Sequence, residues 1–126
     1  MNKYGFIYEQ LVAVLGIAYE YMEWTDKTVP ETYSVGECTE EPTATEDGYE
    51  ESTMIITTTT RGKWLDLENI KEKIKKHFPS VGGLKRQMEH GVIAVFFDSS
   101  FPVPTGEADL KRIQINLKIK EWKGMD

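Results

Sequence analysis

One segment near the end of the chain limits the folds open to it more than any other. Ile113, Ile115, Leu117 and Ile119 alternate with Arg112, Gln114, Asn116, Lys118 and Lys120, a strict period of two. Successive side chains of an extended strand point to opposite faces, so this pattern describes a strand with one apolar and one polar face. A half-buried strand of that kind belongs in an antiparallel sheet. Its expected extent is residues 109–122.

Residues 49–61 carry a second long strand. Met54, Ile56 and Thr58 share one face and Ile55, Thr57 and Thr59 the other, and branching at the β carbon of four consecutive threonines favours extended backbone. Its hairpin partner begins at Tyr33, Val35 and Glu37, where Gly36 reads as a bulge. The entry through Val29 and Pro30 is extended, because a residue before proline avoids helical geometry. Residues 40–48 between these strands read as an acidic loop closed by the turn pair Asp47 and Gly48. The apolar run 92–97 is expected to be a strand buried on both faces. Residues 98–108, with Pro102, Pro104 and Gly106, read as the loop that leads into the last strand. Residues 81–91 hold Gly82, Gly83, Lys85 and Arg86 without any phosphate-loop spacing and read as an exposed connector.

Two helices complete the set. Tyr4, Tyr8, Leu11 and Leu15 recur at helical spacing up to Gly16, with Ile7, Val12 and Val14 widening the apolar face. Residues 17–24 are aromatic-rich and fit either a helical continuation or an extended run. Leu67, Ile70, Ile74 and Phe78 form the stripe of the second helix, which Asp66 is expected to cap and Pro79 to end. Early Glu68 and Glu72 and late Lys73, Lys75, Lys76 and His77 match its dipole. The expected fold is a single α+β domain over residues 1–126. In it a four-stranded, mainly antiparallel sheet built from two long hairpins carries two helices packed on one face. The expected core is Leu11, Leu15, Ile56, Leu67, Ile70, Ile74, Phe78, Val95, Phe97, Ile113, Ile115, Leu117 and Ile119.

At 126 residues, the chain is long enough to bury a core without staples. Its single cysteine, Cys38, excludes an intrachain disulfide and a multi-cysteine zinc site. The apolar run 11–18 is too short to span a membrane, and the residues after it make a poor cleavage site. The net charge of −6 is unevenly distributed. Residues 20–51 contain eleven acids and one base, whereas residues 61–89 contain eight bases and four acids. Acidity of the whole opposes general nucleic-acid binding, and its polarity suits the joining of identical copies head to tail. No paired-histidine, HExxH or calcium-loop spacing accompanies His77 or His90, and acidic neighbours disfavour a Cys38 thiolate. The reading is therefore non-enzymatic, with no cofactor, metal or membrane partner.

The order of helix, acidic hairpin, charged helix and long closing hairpin resembles the tail terminator and tail completion (head–tail joining) proteins of long-tailed bacteriophages and prophages. The residues that carry the resemblance are the entry Val29, Pro30, Glu31, Thr32 and Tyr33, the strand through residues 54–60, the helix over residues 65–78 and the closing pair of strands ending at Trp122. The resemblance implies a homo-oligomeric ring, commonly of six subunits, that ends the tail tube and offers a docking face to the head connector. It places the protein in a virion tail or neck, and in the host cytoplasm during assembly. Arg112, Lys118 and Lys120 are then the expected subunit contact, and Glu40, Glu41, Glu46 and Asp47 an acidic loop lining a lumen that lets DNA pass without binding it. Two competitors stand beside this reading. One is an acidic monomeric or dimeric binding or inhibitor module for a basic protein; the other is a small enzyme with a carboxylate site between the hairpins.

Overall fold

A computed structural model describes residues 2–44 and 48–124, the side chains of residues 41–44 excepted. The chain starts with a short helix α1 (Lys3–Tyr8) capped by Asn2, whose side chain accepts from the Gly5 amide at 3.0 Å. It continues as a π-helical turn over Glu9–Val14. Gly16 ends the turn at φ 69°, where the lack of a Cβ removes the penalty of the left-handed region. The Ile17 amide then reaches back to the Leu11 carbonyl at 2.9 Å. Strands β1 (Tyr19–Tyr21), β2 (Thr32–Ala44) and β3 (Tyr49–Thr60) follow, then helix α2 (Trp64–His77), then β4 (Leu84–Met88), β5 (Gly91–Val103) and β6 (Lys111–Lys123).

The six strands form one sheet in the order β1-β2-β3-β6-β5-β4. All neighbours are antiparallel except β1 and β2, which are parallel. The expected sheet of four strands is therefore corrected to six, mixed in direction. The two hairpins of the expectation are present as β2–β3 and β5–β6, joined at the sheet centre by β3 and β6. The two added strands flank them. β1 has three residues, too few to display a period, and arises in the segment 17–24 that sequence left undecided. β4 lies in the expected connector, where Lys85, Arg86 and Gln87 mask the inward Leu84 and Met88. Charged residues are ordinary on an edge strand, where they discourage unwanted pairing.

The expected loop 98–108 is also shortened, since β5 continues to Val103. A register shift between Phe97 and Ser99 leaves Asp98 as the extra residue of a bulge, after which inward and outward positions exchange. Pro102 is tolerated because, among the described residues, β5 beyond Val95 has β6 as its only strand partner. Similarly, β2 extends to Ala44 into what read as the acidic loop.

The helices cover one face of the sheet. Ile113, Ile115, Leu117 and Ile119 of β6 point towards them, beside Met54 and Ile56 of β3, and all six are buried. From the helices come Phe6, Ile7, Leu11, Leu67, Ile74 and Phe78, all fully buried. Each such side chain contributes about 1.5–3 kcal/mol relative to exposure. Leu15, Ile70 and Phe97 are half-buried against this core. The inward face of the first helical segment is thus Phe6, Ile7, Gln10 and Leu11, whereas Tyr8 and Val14 of the expected apolar face are about half exposed. In α2, Asp66 occupies the third helical position instead of the cap and accepts from the Lys63 amide at 2.9 Å. The threonine row is divided between faces. Thr58 bonds to Ser34 and Thr60 to Thr32, both at 2.7 Å, which satisfies hydroxyls that are fully buried on the helix side.

Gly36 is no bulge: it stays in register opposite Ile56. Its missing side chain is filled by the Tyr19 ring, whose Cε2 would lie 2.7 Å from an added Cβ. Gly36→Val should therefore lower stability by about 1–3 kcal/mol through overpacking, seen as a fall of roughly 5–10 °C in Tm. The substitution should be much milder in a Tyr19→Ala background, which a double-mutant cycle of thermal melts checks.

Candidate functional site

With the helices on one side, the other side of the sheet is left open, and its surface is set by the strand period. β3 contributes Tyr49, Glu51, Thr53, Ile55, Thr57 and Thr59, paired across with Trp122, Lys120, Lys118, Asn116, Gln114 and Arg112 of β6. All three cations expected at a subunit contact lie on this face, in one column.

Their surroundings differ. The Arg112 Nε donates to Thr59 Oγ1 at 3.1 Å. Lys120 lies 5.0 Å from the Tyr49 ring centroid and 5.4 Å from that of Phe96, with Glu51 Oε1 at 3.9 Å. Such cation–π seats hold the ammonium in place as well as attracting it. The Lys118 side chain, between them, makes no ion pair or hydrogen bond among the described residues. A polar chain runs across the middle of the face: Gln114 donates to Asn116 Oδ1 at 2.9 Å, and Asn116 to Ser99 Oγ at 3.0 Å. Tyr49 and Trp122 pack with ring centroids 5.3 Å apart at its upper end. Phe101 on β5 remains 46% exposed, and Met22 after β1 is 61% exposed. Sequence reading passed over both, because the bulge at Asp98 and the short β1 hide which face they occupy.

Of the acidic candidates, Glu40 is not brought together with the cations. Glu40 lies on the helix side, where Lys3 Nζ approaches its Oε1 at 2.7 Å and Glu121 Oε1 at 3.1 Å. The Tyr4 hydroxyl also donates to Glu40. Burial opposes the charge of Lys3, but Glu40 and Glu121 outweigh it and hold its pKa above the ordinary lysine range. The Lys3 ammonium and the Tyr4 hydroxyl hold Glu40 below the usual carboxylate range, and the same bond pushes Tyr4 up to about 12. Glu40 therefore ties the first helix to β2. The side chain of Glu41 and all of Glu46 and Asp47 lie outside the described residues.

Glu40, Glu50, Glu51, Glu121, Lys3 and Lys123 border a recess of about 540 Å³. A carboxylate held low by an ammonium is a fixed anion at neutral pH and a poor general acid. Among the described residues, no group of three or more His, Cys, Asp or Glu could hold a metal ion. Cys38 sits half-buried on β2, and burial pushes its thiol up. No described helix is long and apolar enough to cross a membrane.

No family model matches the chain, and no curated protein matches it. Among solved structures, it is similar to a chain from the virion of a native gene transfer agent particle. The TM-score is 0.69 with 14% sequence identity, over 91% of this chain and 90% of the other. The likeness spans both chains almost completely and shows a shared fold.

The ion pair at Lys3 sets a pH dependence. Because the folded-state pKa of Glu40 is depressed, its contribution is present above the unfolded value of about 4.3 and is lost as pH falls through the folded value. Glu40→Gln lacks that contribution at every pH. Thermal melts at neutral pH and at about pH 3 should show a smaller acid-induced drop in Tm for the variant than for the wild type.

Proposed function

We propose that this chain is a non-enzymatic structural protein of a phage-like particle, which oligomerises as a ring, terminates the tail tube and joins it to the head connector. The observation that carries this reading is the shared fold, end to end, with a chain of a virion particle. Two features of the molecule support it. Long hairpins spend their inner face on the core and leave a broad, patterned outer face, which suits contact with other proteins better than enclosure of a small substrate. The charge polarity along the chain suits a heterologous interface, in which different patches of identical copies meet and orient one another.

Arg112, Lys118 and Lys120 are proposed as a contact with neighbouring subunits. Lys118 is the cleanest probe, because Lys120 and Arg112 also hold side chains of their own sheet. Glu41, Glu46 and Asp47, with Glu40 at the root of the same segment, are proposed to border the lumen, where like charge keeps DNA from sticking. The partners are then further copies, the tail tube protein and the head connector, and the location is the virion tail or neck.

Native mass measured by light scattering across concentration and salt, alone and with tail tube protein, tests the reading. Ring-sized species weakened by salt are expected. A strict monomer that tail tube protein also fails to capture would overturn it, and one tight basic partner would favour the binding module instead. Lys118→Glu should leave the monomer folded with a fall in Tm of no more than about 5 °C, because the half-buried Lys118 side chain makes no ion pair or hydrogen bond that the change would break. The same variant should weaken assembly by about tenfold in midpoint concentration, or 1.4 kcal/mol.

A further inference from the structure

Both edges of the sheet are stepped, and the steps are complementary. β1 covers β2 at residues 34–36 alone, so on that side β2 has no strand neighbour along residues 37–44 among the described residues. β4 covers β5 at residues 91–95 alone, leaving residues 98–103 without a strand neighbour on that side among the described residues. Cross-strand rows locate each step. One row reads Tyr19, Ser34, Thr58, Ile113, Pro102, and a second reads Tyr21, Gly36, Ile56, Ile115, Ser100. A third reads Glu40, Ser52, Ile119, Val95, Leu84. β1 thus stands at the level of the bare stretch of β5, and β4 starts at the level of the bare stretch of β2. The alternation of strand directions makes β1 and β4 run the same way.

We propose that copies of this chain join edge to edge, with β4 of one copy and β1 of the next lying end to end as a single composite strand between β5 of the first and β2 of the second. This deepens the ring reading and rests on it, moving the contact between neighbours from the open face of β6 to the sheet edges. β4 then pairs parallel with β2, and β1 pairs antiparallel with β5. Both allow ladder bonds between backbone groups that are otherwise left to water.

Charge selects the partner. β4 carries the exposed Lys85 and the bare part of β2 the exposed Glu37, whereas Arg86 and Glu40 are held within their own copy by Glu9 and by Lys3. Two β4 edges repel each other, while the acidic edge accepts one, so the same cation rejects self-pairing and orients the correct joint. At the other step Phe101, 46% exposed, shares a row and a face with Glu20, next to the exposed Met22 that follows β1. A Phe–Met contact there would bury apolar surface that the single copy leaves wet. The rows match without sliding one copy along the strands, so repetition of the joint adds no rise, which a closed ring requires and a helical filament lacks.

Lys85→Glu and Phe101→Glu probe the two steps separately. Each side chain is exposed or half-exposed, so melts should match the wild type, which separates loss of assembly from loss of fold. Each variant should raise the midpoint concentration for assembly about tenfold, and hydrogen exchange on assembly should slow at residues 19–21, 84–88 and 98–103 in the wild type. A wild type that assembles while neither variant nor exchange at these edges responds would overturn the edge joint and leave the ring reading standing. A wild type that never assembles, alone or with tail tube protein, would overturn both.

Discussion

The pairing of β3 with β6 is the joint on which the molecule depends. Each belongs to a different hairpin, and each would be half-exposed in its own half of the chain. Brought together in register from Tyr49 opposite Trp122 to Thr60 opposite Lys111, they form the centre of the sheet and fuse two three-stranded halves. The inward rows Met54–Leu117 and Ile56–Ile115 make a continuous apolar strip under the helices. Non-local pairing of this kind needs strong patterning, since a slip of one residue would turn every core side chain to the open face. The strict alternation of β6 supplies that patterning.

This explains which parts of the fold were legible. β3, β6 and α2 have long, unambiguous periods, and their sequence limits agree closely with their observed ones. β1 and β4 were illegible for separate physical reasons. β1 is three residues long and owes its place to Tyr19 lying over Gly36, a contact that no local pattern announces. β4 has two inward residues separated by charge, because it is an edge strand whose outer side faces water. The bulge at Asp98 hid the second half of β5 by reversing its alternation. The first helix was mis-phased because a π-helical turn advances more residues per turn than the α-helical spacing assumes.

Of the candidate site, the column Arg112, Lys118 and Lys120 was legible because it is simply the other half of the β6 period. What that column touches was not, since Thr59, Tyr49 and Phe96 come from distant strands. Glu40 shows the opposite case. Its acidic neighbours in sequence implied a free charge in a loop, whereas Lys3 and Tyr4 hold it at the base of the first helix. A sheet with one face buried, one face patterned and both edges stepped has surfaces to spare for other proteins.

End-on electron micrographs of the concentrated protein test the central claim most directly, that copies are related by a rotation that closes. The account predicts closed annuli whose wall is one sheet with its layer of helices, the strands running along the ring axis. Open filaments of the same subunits, or single-copy particles at every concentration, would contradict it.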